Sequence, residues 1–284
     1  MTVVGIVSPG AMGSAVGRVL TGGGQRVVAT TAGRSERTRR LAHGLELLPS
    51  VDDVVGASDL VLSIVQPGDA VEVARLITVA VRRYGTRPLV AELNAISPAT
   101  VTTISGIVAD EELELVDGSI SGPPPNRPGT TTVFLSGAAA VRVASLSAPG
   151  LELRVVGETV GLASAVKMCT ASVYKGQTIL LAQALRAAST YGVLDEVVGD
   201  LRRNDPTLVD GAVRALRRLA AKSGRYVPEL REIASAQKAA GLSADLFAAF
   251  AAVAGGISEG ELAATATPED QDDDADLESV LGTL

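Results

Sequence analysis

Short apolar runs alternate with helical patterns through the first half of the chain, and helical periodicity alone fills the second. Val3–Val7 is β-branched at all but one position and reads as a buried strand. It passes through Ser8-Pro9-Gly10-Ala11-Met12-Gly13 into a small-residue helix over Gly13–Leu20, which Gly22-Gly23-Gly24 stops. Arg26–Thr31 is a second strand, Ser35–Ala42 a helix and Leu45–Leu48 a short third strand. Leu60–Val65, Leu89–Leu93 and Glu114–Val116 follow as strands four to six, and Thr131–Ser136 is expected on an antiparallel extension. Such alternation predicts a doubly wound parallel sheet with crossover helices.

Beyond Gly161 the period changes. A long helix is expected over Leu162–Tyr191, ended by Gly192, with further helices over Val193–Arg203, Pro206–Ser223, Pro228–Ala240 and Ala244–Glu259. Pro206 and Pro228 are read as helix starts, where a missing N–H costs nothing. The change of period near Leu153–Glu158, just after Pro149-Gly150, sets a boundary: an α/β domain over 1–157 and an all-α domain over 158–262.

Composition refines this picture. Hydrophobic residues make up 46% of the 284 positions and aromatic residues 2%, so the core must be aliphatic. The net charge of −7 is concentrated at the end of the chain. Glu269, Asp270, Asp272, Asp273, Asp274, Asp276 and Glu278 account for all of it, and 263–284 reads as a solvated, disordered acidic tail. The remaining body is formally neutral and has no basic bias that would suit nucleic acid. No apolar stretch approaches a membrane span, and the N-terminus lacks the basic region of a signal peptide. A lone cysteine, Cys169, leaves no internal disulfide and fits a reducing cytoplasm. On an alanine-rich helix it reads as a buried, inert thiol. His43 reads as a surface cap, and the acids show no paired spacing that implies a metal.

The turn Ser8–Gly13 carries the first candidate chemistry. Gly10 and Gly13 permit close backbone approach, and Ala11 and Met12 open a helix whose free N–H groups suit a dinucleotide pyrophosphate. This is a Rossmann-type arrangement, with Ser8 where the first glycine of G-x-G-x-x-G would stand. Ser8 precedes Pro9 and is biased to extended backbone, which suffices for a strand end. An acid about 20 residues past the turn marks an NAD site. Val28–Gly33 contains none, and Arg34, Ser35 and Arg37 follow immediately. A guanidinium and a hydroxyl there suit the 2′-phosphate of NADP rather than NAD, although a solvated basic helix face has the same composition.

Val65-Gln66-Pro67 and Asn94-Ala95-Ile96-Ser97 end strands four and five at the carboxyl edge, where open α/β sheets bind ligands. Both are also ordinary turn chemistry. In Asp117-Gly118-Ser119-Ile120-Ser121-Gly122, followed by three prolines, Ser121 and Gly122 offer a hydroxyl and free backbone to an anionic substrate group. A rigid exit turn is the alternative. Lys167 lies among Leu162, Ala163, Ala165, Val166 and Met168. Burial would suit it to proton transfer, while snorkelling or pairing with a carboxylate would make it structural. Tyr174 is seven positions on, at nearly the same angle round the helix.

Taken in order, Gly10–Gly13, Asn94–Pro98, Asp117–Gly122 and Gly161-Leu162-Ala163-Ser164-Ala165-Val166-Lys167 make the chain resemble the β-hydroxyacid dehydrogenase superfamily. That superfamily includes 6-phosphogluconate and 3-hydroxyisobutyrate dehydrogenases and is allied to the imine reductases. The resemblance covers about Val3–Leu185, and the helical region beyond looks like the subgroup with a phosphogluconate-dehydrogenase-like C-terminal domain. It implies hydride transfer between NADP(H) and a small substrate, with Lys167 as general acid or base. It also implies that Ser121 and Gly122 hold the substrate's carboxylate, that Asn94 lies beside the nicotinamide, and that the helical domain dimerises. Ala171 replaces the family's usual asparagine four residues after the lysine, and prolines follow Gly122 where relatives carry glycine. Substrate positioning is therefore expected to differ, with Tyr174 supplying the missing polar contact. Imine reduction and a non-catalytic NADP-binding sensor or scaffold are the competing expectations.

Overall fold

The computed structural model describes residues 2–267 and 275–284, which divide into two units, one ending at Met168 and the other beginning at Cys169. In the first unit, β1 (Val3–Ile6) leads through α1 (Ala11–Gly22) to β2 (Arg26–Ala29), α2 (Glu36–Leu41), β3 (Glu46–Leu47) and α3 (Val51–Gly56). Next come β4 (Leu60–Ser63), a 3-10 turn (Pro67–Asp69), α4 (Ala70–Tyr84), β5 (Leu89–Glu92), α5 (Pro98–Ala109) and β6 (Leu115–Ser121). The unit ends with β7 (Thr132–Ser136), α6 (Ala140–Ala144), β8 (Glu152–Gly157) and the start of α7 (Leu162–Thr190).

The described strands form one sheet in the order β3-β2-β1-β4-β5-β6-β7-β8, parallel except where β7 runs antiparallel to β6. β1 pairs with both β2 and β4, so the winding reverses there and opens a crevice at the carboxyl ends of the strands. Strand residues alternate between two cores. Val4, Ile6, Leu60 and Leu62 face one, while Val61 and Val90 face the other, which Ile77 of α4 and Ile104 of α5 help fill. Burial on both faces explains why these strands are continuous apolar runs.

The antiparallel strand falls where the sequence reading places it, but β8 lies where a domain boundary was expected. Its Glu-Leu-Arg-Val-Val-Gly segment is largely exposed at the sheet edge, so it lacks the apolar run that reveals an inner strand. The first unit also extends past 157, because the opening turn of α7 is hydrogen-bonded to β6 and β7.

The second unit is helical over its described residues: the rest of α7, α8 (Leu194–Asn204), α9 (Pro206–Val209), α10 (Ala212–Ala239), α11 (Asp245–Ser258), α12 (Glu261–Thr265) and α13 (Leu277–Thr283). Pro228 lies inside α10 and does not start a new helix. The bond it forfeits is to the carbonyl of Gly224. The expectation of a solvated extension fails over 277–284. Asp276 caps Ser279 N at 2.9 Å, and Val280, Leu281 and Leu284 are buried, with α13 packed on α10. Helical spacing of Leu277, Val280 and Leu281 gives this acidic segment an apolar face. It fails also at 263–265, the last residues of α12, while 268–274 lie outside the described residues.

Candidate active site

The first helix begins directly after β1 without a side-chain cap, since its N-cap is Gly10. The amides of Ala11, Met12 and Gly13 have no carbonyl one turn earlier to receive them. A Cβ on Gly13 would lie 2.4 Å from the Ser8 carbonyl oxygen, so glycine is needed for the turn to pack on its own helix. A Cβ on Gly10 would meet nothing within 4 Å. That side of the turn is open, as close approach of a dinucleotide requires, and the residues present fit such a group. At the end of β2, Thr30 is buried, Arg34 is half-buried, and Ser35 caps α2 by accepting from Thr38 N at 3.3 Å.

The ends of β4 and β5 are tied together. Asn94 is 3% exposed; its Oδ1 accepts from Val65 N at 2.6 Å and its Nδ2 donates to Ser63 Oγ at 3.1 Å. Each end of this amide makes a bond within the protein, and these bonds shape the Val65-Gln66-Pro67 loop. Its own N–H donates to Glu92 Oε1 at 2.9 Å. Glu92 is buried, and burial pushes its carboxyl up to about 8, with the nearby charge of Asp117 adding to the rise. It is therefore predominantly protonated at neutral pH.

Ser63, Glu92, Asp117 and Ser136 stand opposite one another on β4, β5, β6 and β7, forming a buried polar row across an otherwise apolar sheet. Asp117 Oδ2 accepts from Ser136 Oγ at 2.8 Å, Gly161 N at 2.9 Å and Ser164 N at 3.0 Å. Its Oδ1 accepts from Ser164 Oγ at 2.6 Å. Ser136 Oγ accepts from Ala163 N at 3.0 Å, and Ser119 Oγ donates to the Ala163 carbonyl at 2.7 Å. The opening turn of α7 is thus held on β6 and β7. One turn further on, Lys167 is half-buried and its Nζ donates to the Ile120 carbonyl at 2.8 Å.

That carbonyl immediately precedes Ser121 and Gly122. Gly122 has φ +108°, and a Cβ there would lie 2.2 Å from the Thr130 carbonyl oxygen. Only glycine fits this close, left-handed crossing. The structure therefore joins Lys167 to the Ser121-Gly122 segment, and Asn94 to Val65. Tyr174 falls in the second unit and is exposed. Cys169 is exposed, not buried: Met168 and Ala171 take the covered face of α7, and each residue turns the helix by 100°. The polar row escapes sequence reading because pairing across strands is not written in any one strand. Its signal is a carboxylate inside or ending an apolar strand, at Glu92 and at Asp117.

The switch-point crevice, the open glycine turn and the α7 lysine bonded to β6 define a class, a nicotinamide-dinucleotide-binding protein of the dehydrogenase and reductase type. Residues 3–147 match the NAD binding domain of 6-phosphogluconate dehydrogenase, and residues 188–255 match a domain of unknown function, DUF1932. The chain belongs to the β-hydroxyacid dehydrogenase superfamily. An uncharacterised 28.5 kDa protein of Methanothermus fervidus is 28% identical over 177 residues, 61% of this chain and 66% of that protein. A conserved hypothetical protein of Sinorhizobium meliloti is 25% identical, with a TM-score of 0.68 over 99% of this chain and 96% of its own. The fold is shared with Mycobacterium tuberculosis 3-hydroxyisobutyrate dehydrogenase, solved with L-serine (20% identity, TM-score 0.70, 100% and 99% of the chains). It is shared too with an imine reductase variant from Myxococcus stipitatus, solved with NAD+ (20% identity, TM-score 0.56, 91% and 94%).

Proposed function

We propose that the protein is an NADP-dependent oxidoreductase acting on a small hydroxy acid or carbonyl compound, with Lys167 as general acid in reduction and general base in oxidation. One observation carries this reading: the Lys167 ammonium is held 2.8 Å from the Ile120 carbonyl, immediately before Ser121 and Gly122. A bound dinucleotide would supply or accept the hydride.

The protein's own residues do the rest. The amides of Ala11, Met12 and Gly13 receive the pyrophosphate. Arg34 and Ser35 take the 2′-phosphate by charge-assisted hydrogen bonds, and Val65, Gln66 and Pro67, held by Asn94, border the nicotinamide. The Ser121 hydroxyl and the Gly122 amide receive the substrate's carboxylate. In reduction Lys167 gives a proton to the substrate oxygen and is left as a neutral amine; in oxidation it takes the hydroxyl proton. The Ile120 carbonyl keeps the ammonium aimed along this edge. A second copy of the chain is the proposed partner. Val173 and Leu180 share one exposed face of α7, Tyr191 is exposed just past its end, and a monomer in sedimentation velocity would contradict that assignment. The lone thiol, Cys169, suits a cytoplasmic setting.

The test is consumption of NADPH and NADH against a panel of ketoacids, semialdehydes and cyclic imines. NADPH-dependent turnover of a carbonyl acid is expected. Turnover confined to imines would replace this reading with imine reduction. Tight NADPH binding without any turnover would make the protein a sensor or scaffold, and preference for NADH would remove the role of Arg34.

A further inference from the structure

We propose that Asp117 is a positioning residue for Lys167, a strand carboxylate that sets where α7 begins and so where its lysine ends. The inference rests on the reading of Lys167 as the proton-transfer group. Gly161, at the start of α7, has φ +102° and no side chain with which to cap the helix. The amides that open the turn are received from elsewhere, by Asp117 on β6 and Ser136 on β7. Asp117 is fully buried and is an acceptor in all four of its contacts. A buried carboxylate is tolerated when its lone pairs are filled in this way.

The consequence is mechanical. α7 is attached to β6 at two levels, through Asp117 at its first turn and through Lys167 to the Ile120 carbonyl one turn later. Two attachments to one strand bar both sliding and rotation of the helix. Loss of Asp117 would leave that turn held only at Ala163, by Ser136 and Ser119, and so loosen the lysine beside the Ser121-Gly122 segment. Glu92, directly opposite on β5, is kept protonated by burial and by the charge of Asp117, so the row holds one filled carboxylate beside one neutral acid.

Asp117→Asn separates geometry from charge. Its carbonyl oxygen can still receive the Gly161 and Ser164 amides, and the Ser164 hydroxyl can turn to accept from the new NH2. Asp117→Ala removes every acceptor, and Ser164→Ala is a milder variant should Asp117→Ala fail to fold. The first readout needs no substrate. Full-length protein is labelled with trace acetic anhydride, and the rate at Lys167 is taken by mass spectrometry relative to exposed Lys238. Asp117→Ala or Ser164→Ala should change that ratio at least about threefold, with Asp117→Asn near wild type; a changed ratio reports a moved or differently ionised ammonium. The second readout is kcat against the KM for NADPH. A misplaced group costs kcat by up to roughly 100-fold, so kcat should fall in Asp117→Ala and recover in Asp117→Asn, with the KM for NADPH unchanged. An unaltered labelling ratio in folded Asp117→Ala and Ser164→Ala would overturn the proposal. Altered labelling with activity indifferent to Lys167→Met would instead keep the positioning and sink the catalytic reading.

Discussion

Two helices begin close to where the parallel strands of one sheet end, and the protein closes only one of them. The start of α1 is bare: its cap is Gly10, its first amides point away from any carbonyl of their own helix, and the space beside Gly10 is open. The start of α7 is filled, with Asp117 and Ser136 receiving its first amides. The same physics serves opposite ends. Unpaired N–H groups with a partial positive charge attract an anion from outside when left alone. When the anion is a residue of the neighbouring strand, they become a rigid mount. In the proposed function one helix end receives a ligand, and the other delivers Lys167.

Glu92 sits between the two ends and should give the largest effect. Its folded-state value of about 8 lies above the ordinary 4.5, so the folded protein holds this proton more tightly than the unfolded chain does. The resulting stability is fully present below about pH 4.5 and is lost as pH climbs through about 8, a total of roughly 4–5 kcal/mol. Glu92→Gln should remove this slope and be the more stable protein at pH 9, by urea midpoints. Parallel pH profiles for the two proteins would mean that Glu92 titrates normally.

The glycines of the open turn should separate cleanly. Gly13→Ala forces a Cβ to 2.4 Å from the Ser8 carbonyl, and should cost about 2 kcal/mol, a fall in Tm of roughly 4–8 °C. Gly10→Ala adds a methyl to open space, so Tm should hold while NADPH binding weakens about tenfold, or 1.4 kcal/mol. Equal affinity in Gly10→Ala by calorimetry would show that nothing approaches that face. An effect of the same size separates the two dinucleotides. Arg34→Ala should raise the Kd for NADPH about tenfold, within the range of a charged hydrogen bond, and leave the Kd for NADH unchanged.

Much of the open helix end is legible in the sequence, because its parts are contiguous: strand, glycine turn and helix occupy Val3–Leu20 in one run. The crossover order is legible for the same reason, as each inner strand is an apolar run of its own. The filled end is not. Asp117, Ser136 and Ser164 lie far apart in the chain, and only strand pairing shows that one carboxylate caps a helix that starts more than 40 residues later. Lys167 was visible as a polar residue in apolar company, yet its partner is a backbone carbonyl, which carries no residue-specific signal. β8 was hidden by exposure, α10 by a proline that reads as a start, and α13 by the acidic run that precedes it.

The most direct test of the two-ended site is Lys167→Met, measured for NADPH affinity and for turnover of the best carbonyl substrate. Dinucleotide binding should match wild type, because the open end of α1 is untouched, while turnover falls by about 100-fold or more with the loss of the proton donor. Turnover that survives the substitution would contradict the assignment of Lys167.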